Sequence, residues 1–251
     1  MTARPVTIKI GGIAGQHAAS LRWLAQSAPP TTVVIHGGGS EVAEWSRRQG
    51  LEPRTHDGLR VTDAETLDVV VAVLGGLINT RLVAALMGAG RSAVGLTGVD
   101  GGLLQLRRHD PVLGEVGQVA SVDPALLDAL MRDGLLPVVA SVGADPAGDL
   151  LNVNADEVAS AIAAERGGLL LLCTDVPGVQ RDGQVLSHLD AAAAERMLED
   201  GSASAGMRPK LRAALVAARA GCDVRILDGR SVAELDAALQ GEAAGTMVTA
   251  A

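Results

Sequence analysis

The sequence predicts an α/β fold in which an open, mainly parallel sheet is sandwiched between helices and divided into two lobes. Three observations carry that expectation. Short apolar runs alternate with helical patterns along the chain. The runs are continuous rather than alternating, as in strands buried on both faces. The 251 residues leave room for one large core, or for two lobes sharing a sheet.

Taken in order, strands are expected over residues 6–10, 32–35, 92–96, 136–140, 169–173 and 223–227. Helical patterns cover 18–26, 42–49, 63–87, 124–132, 155–166, 191–200, 211–220 and 232–239. Ligands of such sheets gather at the carboxyl ends of the strands. Residues 101–117 break the rhythm with short alternating stretches and Gly, Pro and Asp punctuation, which reads as a hairpin excursion. A soft boundary at Gly167-Gly168 gives lobes over 1–167 and 168–251. Gly75-Gly76 interrupts the long apolar helix at a cost of about 1 kcal/mol per glycine relative to alanine. Two readings stand there: a buried core helix with a bend, or a face of small residues that a second copy approaches.

Composition narrows the function. Hydrophobic residues at 48% and charged residues at 20% are those of a soluble globular protein. No uninterrupted apolar run reaches the ~18 residues of a membrane span, and no signal peptide is expected. A net charge of −8 disfavours nucleic acid and anionic membranes as partners. Cys173 and Cys222 are too few for a disulfide framework, which fits a reducing cytoplasm.

The basic residues are lopsided, with 19 arginines and 2 lysines among 21. Codon bias explains the excess of arginine. It also makes Lys9 and Lys210 candidates for positions where a planar guanidinium cannot replace a compact ammonium. Lys9 closes the first strand and precedes Gly11-Gly12, whose N–H groups can approach an oxyanion, although strand-Gly-Gly is also common punctuation. Lys210 opens a helix in Gly206-Met207-Arg208-Pro209-Lys210, on the unfavourable side of the macrodipole unless an anion binds between them.

Three further segments carry polar groups. His36-Gly37-Gly38-Gly39-Ser40 links a strand to a helix, either as an anion-binding nest or as a turn capped by Ser40. Arg60 precedes the long helix, which Thr62 or Asp63 could cap; it reads as a carboxylate clamp or as a solvated surface arginine. Asn154 with Glu157 forms a capping-box pattern, and Asn152 and Asp156 surround it with polar groups the cap does not need. No Walker A or dinucleotide-binding fingerprint occurs, which disfavours an NAD-dependent oxidoreductase.

In this order the segments resemble the amino-acid kinase superfamily and, within it, the acetylglutamate kinases, from Lys9 to about Gly245. The resemblance implies an N-terminal lobe for an acyl amino acid and for dimerisation, and a C-terminal lobe for ATP. It implies that Lys9 and Lys210 stabilise the phosphoryl group in flight while Asp156 holds both ammonium groups. By the same match Gly38, Gly39, Arg60, Asn152 and Asn154 bind N-acetyl-L-glutamate. Gly11, Gly12, Thr174, Asp175, Gly178, Gly206 and Met207 lie at the nucleotide, supplied as ATP with Mg2+. The implied reaction phosphorylates the γ-carboxylate in arginine biosynthesis, and no resident metal site is expected. Carrier-protein-linked aminoadipate kinases share the scaffold, and a silent nucleotide or amino-acid sensor is the alternative from another class. Because the chain begins almost directly at the first strand, a homodimer insensitive to arginine is expected.

Overall fold

The computed structural model describes residues 4–11 and 17–251. The chain opens with β1 (Val6–Ile10), α1 (Ala18–Gln26), β2 (Thr32–His36) and α2 (Gly39–Arg48), then a hairpin of β3 (Arg54–His56) and β4 (Leu59–Val61). A continuous helix follows, built from α3 (Ala64–Val70), a π-helical stretch (Val71–Ile78) and α4 (Asn79–Gly88). Next come β5 (Ala93–Thr97), β6 (Leu104–Arg108), β7 (Val116–Val122), α5 (Ala125–Arg132), β8 (Leu136–Ala140), β9 (Val142–Ala144) and β10 (Leu150–Val153). Then α6 (Ala155–Arg166) leads to β11 (Leu169–Thr174) and the small hairpin of β12 (Gln180–Arg181) and β13 (Gln184–Val185). The chain finishes with β14 (His188–Asp190), α7 (Ala191–Glu199), α8 (Met207–Arg219), β15 (Asp223–Asp228), α9 (Val232–Leu239) and β16 (Thr246–Thr249).

Among the described residues eight strands form one sheet in the order β14-β16-β15-β11-β1-β2-β8-β5. Every neighbouring pair is parallel except β15 with β16. The predicted mainly parallel sheet is therefore present, and β1 sits inside it between β2 and β11. Strand order reverses at β1, which makes its carboxyl end the expected ligand crevice. The period of two along β1 turns Val6, Ile8 and Ile10 into a core with Trp23, Leu24 and Leu82. Thr7 and Lys9 consequently face the other side, where α6 lies against the strand.

Three expectations change in detail. The hairpin over 101–117 exists as antiparallel β6 and β7, but it is half of a small closed barrel completed by β9 and β10. Those two strands are three and four residues long, too short to show a period. The long helix is continuous through Gly75-Gly76, and the irregularity there is a π-helical stretch rather than a simple bend. Helices α2 and α8 begin at Gly39 and Met207, earlier than hydrophobic periodicity alone indicates.

The segment Ala64–Gly88 is 25 residues long, its most apolar 18-residue window has mean hydropathy 2.0, and by length and composition alone it could cross a membrane. Part of that apolar content is spent on the sheet, where Leu82 and Leu86 join the core. Asp63 caps this helix by accepting from the Thr66 N–H at 2.9 Å.

Candidate active site

The site is built where β1 ends, facing α6 and α8. Lys9 Nζ lies 3.0 Å from Asp156 Oδ1. Lys210 Nζ donates to both Asp156 oxygens at 3.1 Å. All three side chains are close to fully buried: Lys9 is 9%, Asp156 8% and Lys210 12% exposed. Asp156 reaches this position from the first turn of α6, which Asn154 starts by accepting from the Asp156 and Glu157 N–H groups at 2.8 and 3.2 Å.

The electrostatics of the trio follow from two ammonium groups sharing one carboxylate. Burial pushes the Asp156 carboxyl up, but Lys9 and Lys210 outweigh it and hold it below the usual range. Burial pulls Lys9 down, and the Asp156 charge and hydrogen bond more than restore it, leaving it above its ordinary value. Lys210 falls below its ordinary value through burial, with the nearby Lys9 charge adding to the fall. With all three groups ionised the trio carries a surplus positive charge, which an entering anion would neutralise. Cys173, directly beneath, is pushed up to about 12 by burial and stays a thiol.

Two cavities meet at this trio. One, of about 350 Å3, is lined by Gly37, Gly38, Gly39, Arg60, Asn152 and Asn154. The other, of about 520 Å3, is lined by Thr174, Asp175, Gly206, Met207 and Lys210. Lys9 and Gly11 line both. A Cβ on Gly11 would stand 2.9 Å from Lys9 Nζ and would push the ammonium away from its place beside Asp156.

In the first cavity Arg60 lies on β4 of a hairpin, not in the loop expected for it. Its Nη2 donates to the Gly39 carbonyl at 2.6 Å, while its buried Nη1 has no partner. Burial, then the neighbouring Arg47 charge, lowers the Arg60 guanidinium from its ordinary value. Asn152 Nδ2 donates to Thr62 Oγ1 at 3.0 Å. A Cβ on Gly38 would overlap Ile78 Cδ1 and approach Leu74 Cδ2 to 2.9 Å, so any larger residue would have to displace those side chains of the long helix.

The structure places several of these readings differently, and one lies outside the described residues. Ser40 is no cap; Gly38 holds that position, and the Ser40 hydroxyl donates to Glu41. The capping box on α6 is half formed, because Glu157 accepts from the Val119 N–H at 2.8 Å instead of reaching back to Asn154. Gly178 lies outside both cavities and packs against Thr246, where a Cβ would come within 2.6 Å of the hydroxyl. Gly12 falls outside the described residues. Sequence reasoning missed Ser141 in the first cavity and Ser204 in the second. Neither serine sits in a pattern that would have singled it out.

The chain is similar to known proteins over most of its length. The profile described as "Amino acid kinase family" matches residues 17–228. A curated acetylglutamate kinase of Methanopyrus kandleri is 44% identical, over 86% of this chain and 90% of its own length. The acetylglutamate kinase of Solibacter usitatus is 42% identical over 97% of this chain and 98% of its own. Among solved structures, a Streptococcus mutans protein superposes with a TM-score of 0.84 at 26% identity, covering 98% of each chain.

Proposed function

The chain belongs to the amino acid kinase family, and from that premise we propose that it phosphorylates the γ-carboxylate of N-acetyl-L-glutamate with ATP in arginine biosynthesis. It is a phosphotransferase with a carboxyl group as acceptor. The observation that carries the reading is the pair of cavities meeting at Lys9 and Gly11, with the Lys9–Asp156–Lys210 trio at their junction. One cavity suits an acyl amino acid and the other a nucleotide, so the group to be transferred would lie between them.

Chemistry suits the residues present. The acceptor carboxylate is ionised at neutral pH and needs no general base. One of its oxygens bonds to the γ-phosphorus as the bond from phosphorus to the β–γ bridging oxygen breaks, and ADP leaves with that electron pair. Positioning and charge stabilisation then dominate the barrier. Lys9 and Lys210 meet the charge on the transferred oxygens, and Asp156 fixes both ammonium groups. Gly38 and Gly39 offer backbone N–H groups, and the free Nη1 of Arg60 is suited to a carboxylate oxygen of the acceptor. Asn152 and Asn154 line the same cavity. Thr174, Asp175, Gly206 and Met207 form the nucleotide side. The described residues contain no cluster of three or more His, Cys, Asp or Glu side chains suited to a metal. Mg2+ would enter with the nucleotide, as part of the substrate MgATP.

Residues 1–167 then serve the acceptor and 168–251 the nucleotide, across one shared sheet. The two buried free thiols suit a reducing cytoplasm. A homodimer through the long helix is supported by its exposed apolar side, where Ala72, Gly76 and Ala84 are open and Met87 is 59% exposed. Light scattering after size exclusion should give twice the monomer mass; a strict monomer at micromolar concentration removes the dimer. For the reaction, coupled ADP release is measured with N-acetylglutamate, glutamate, aspartate and aminoadipate derivatives. N-acetylglutamate should turn over best, and nucleotide binding without turnover on any of them would favour a silent sensor.

A further inference from the structure

Beneath the glycine loop of the acceptor cavity lies a buried polar pair that the chemistry above leaves without a role. His36 ends β2 at 1% exposure, and Asn79 opens α4 at 4%. Asn79 Nδ2 donates to the Val138 carbonyl at 2.9 Å and stands 3.0 Å from His36 Nε2. Carbonyls can only accept, so the amide nitrogen must face that side. One hydrogen meets Val138, and the other lies between the Leu96 carbonyl at 3.4 Å and the nearer His36 Nε2, where a ring N–H would oppose it. Nε2 is therefore the acceptor, and the imidazole proton sits on Nδ1. That proton points at the Gly37 carbonyl, 3.0 Å away, which again can only accept. Both ends of the ring require the same neutral tautomer.

The sheet is shaped for this pair. Gly95 on β5 has no side chain, and a Cβ there would overlap Asn79 Oδ1. The π-helical stretch just before Asn79 presses Leu74 and Ile78 onto Gly38, so one helix touches the loop at consecutive residues through packing and through the His36 relay.

We propose that Asn79 and His36 are positioning residues that hold the Gly37-Gly38-Gly39 loop in the orientation that receives the acyl amino acid. The role rests on the acceptor reading above. It makes acceptor binding sensitive to acid. Protonation would place a second N–H at Nε2 against the Asn79 amide hydrogens. Flipping the amide would set its oxygen against the Val138 carbonyl. Burial disfavours the imidazolium, partly offset by the Gly37 hydrogen bond and the charge of Glu41 on α2. Arg81 on α4 is the other charged group lining the cavity at His36. As the pH falls towards the titration of His36, the KM for the acyl amino acid rises while the KM for ATP holds.

Two measurements test this. Long-range 1H–15N spectra of the intact protein, with the His36 signals assigned through His36→Asn, should show the neutral Nδ1–H form from pH 8 to well below the ordinary histidine value of about 6.5. The Nε2–H form, or an ordinary midpoint, overturns the proposal whatever the substrate proves to be. In kinetics, His36→Leu removes both contacts, whereas His36→Asn keeps an N–H near the Gly37 carbonyl. We expect His36→Leu to raise the acceptor KM by about 10-fold, the scale of the one lost hydrogen bond that reaches the loop, at the Gly37 carbonyl, with the ATP KM unchanged. His36→Asn should recover most of that loss and lack the acid limb. An unchanged acceptor KM in His36→Leu, or equal rises in both KM values, also overturns it. If the wild-type protein releases no ADP with N-acetylglutamate, the function fails separately, and the spectra still judge the tautomer.

Discussion

Lys210 grips both oxygens of Asp156 at 3.1 Å from the first turn of α8. An ammonium at a helix N-terminus opposes the macrodipole, and here a buried carboxylate from another helix holds it in place. Lys9 takes one of the same oxygens from the sheet. One carboxylate thus ties β1, α6 and α8 together at the point where the two cavities meet.

Asp156→Asn should remove the tie and leave two buried ammonium groups facing each other. Breaking a buried pair costs about 3–5 kcal/mol, and losing the preorganised charge costs about 10²-fold or more in kcat. Urea denaturation and ADP release measure the two losses. The Asp156 carboxyl titrates below its unfolded value when folded, so its stabilisation is complete above about pH 4. It is lost as pH falls through the lower folded value. The stability gap between wild type and Asp156→Asn should therefore be widest at neutral pH and close under strong acid. A gap that widens on acidification would contradict the assignment.

Lys9→Arg and Lys210→Arg keep the charge and change its shape. Lys9 Nζ packs close to the Gly11 backbone, where a Cβ would come within 2.9 Å of it, and is held at 3.0 Å from Asp156 Oδ1. A guanidinium is wider and planar, so each substitution should lower kcat by about 10²-fold or more while circular dichroism stays native. Near-normal turnover in either variant would remove that lysine from the chemistry.

Arg60→Lys separates charge from geometry on the acceptor side. The guanidinium spends Nη2 on the Gly39 carbonyl and keeps a buried Nη1 without a partner. A single ammonium cannot serve both directions at once. The acceptor KM should rise by about 10-fold or more, the range of a lost charge-assisted hydrogen bond, with the ATP KM unaffected. Steady-state kinetics varying each substrate in turn would show a parallel rise in both constants if Arg60 were only structural.

The parts of this site that sequence made legible are those where local signal and chemistry coincide. A lysine at a strand end before two glycines, and another in a helix's first turn, are visible in one dimension. Asp156 was visible because a cap needs Asn154 and does not need a second acid. The His36–Asn79 pair was hidden, since its meaning depends on residues 43 apart in sequence meeting under the sheet. The Glu157 carboxylate was misread because a barrel N–H, from Val119 on β7, competes with the local cap and wins. Likewise Leu74 and Ile78 of the π-helical stretch pack on Gly38, a contact between distant residues that no propensity encodes.

Gly58→Ala probes a link between the two cavities that neither alone reveals. The tip of the β3–β4 hairpin, which carries Arg60, docks on the start of α8, which carries Lys210. A Cβ on Gly58 would stand 2.9 Å from the Ala205 carbonyl oxygen and 3.4 Å from Pro209 Cγ, at a φ of 83°. Asp57 beside it faces Arg208 and Arg212 at 3.7 and 3.5 Å, exposed pairs worth at most about 1 kcal/mol each. Gly50 supplies the control: its φ is 78°, and nothing lies within 4 Å of the position its Cβ would take. Alanine at either position pays the left-handed backbone cost of about 1–2 kcal/mol. Only Gly58→Ala also pushes the hairpin off α8. Gly58→Ala should lose about 1 kcal/mol more stability in urea than Gly50→Ala, and only Gly58→Ala should raise the acceptor KM, by several-fold on the scale of that contact. Equal kinetics in the two variants would mean that the hairpin tip merely rests on α8 and does not set Arg60.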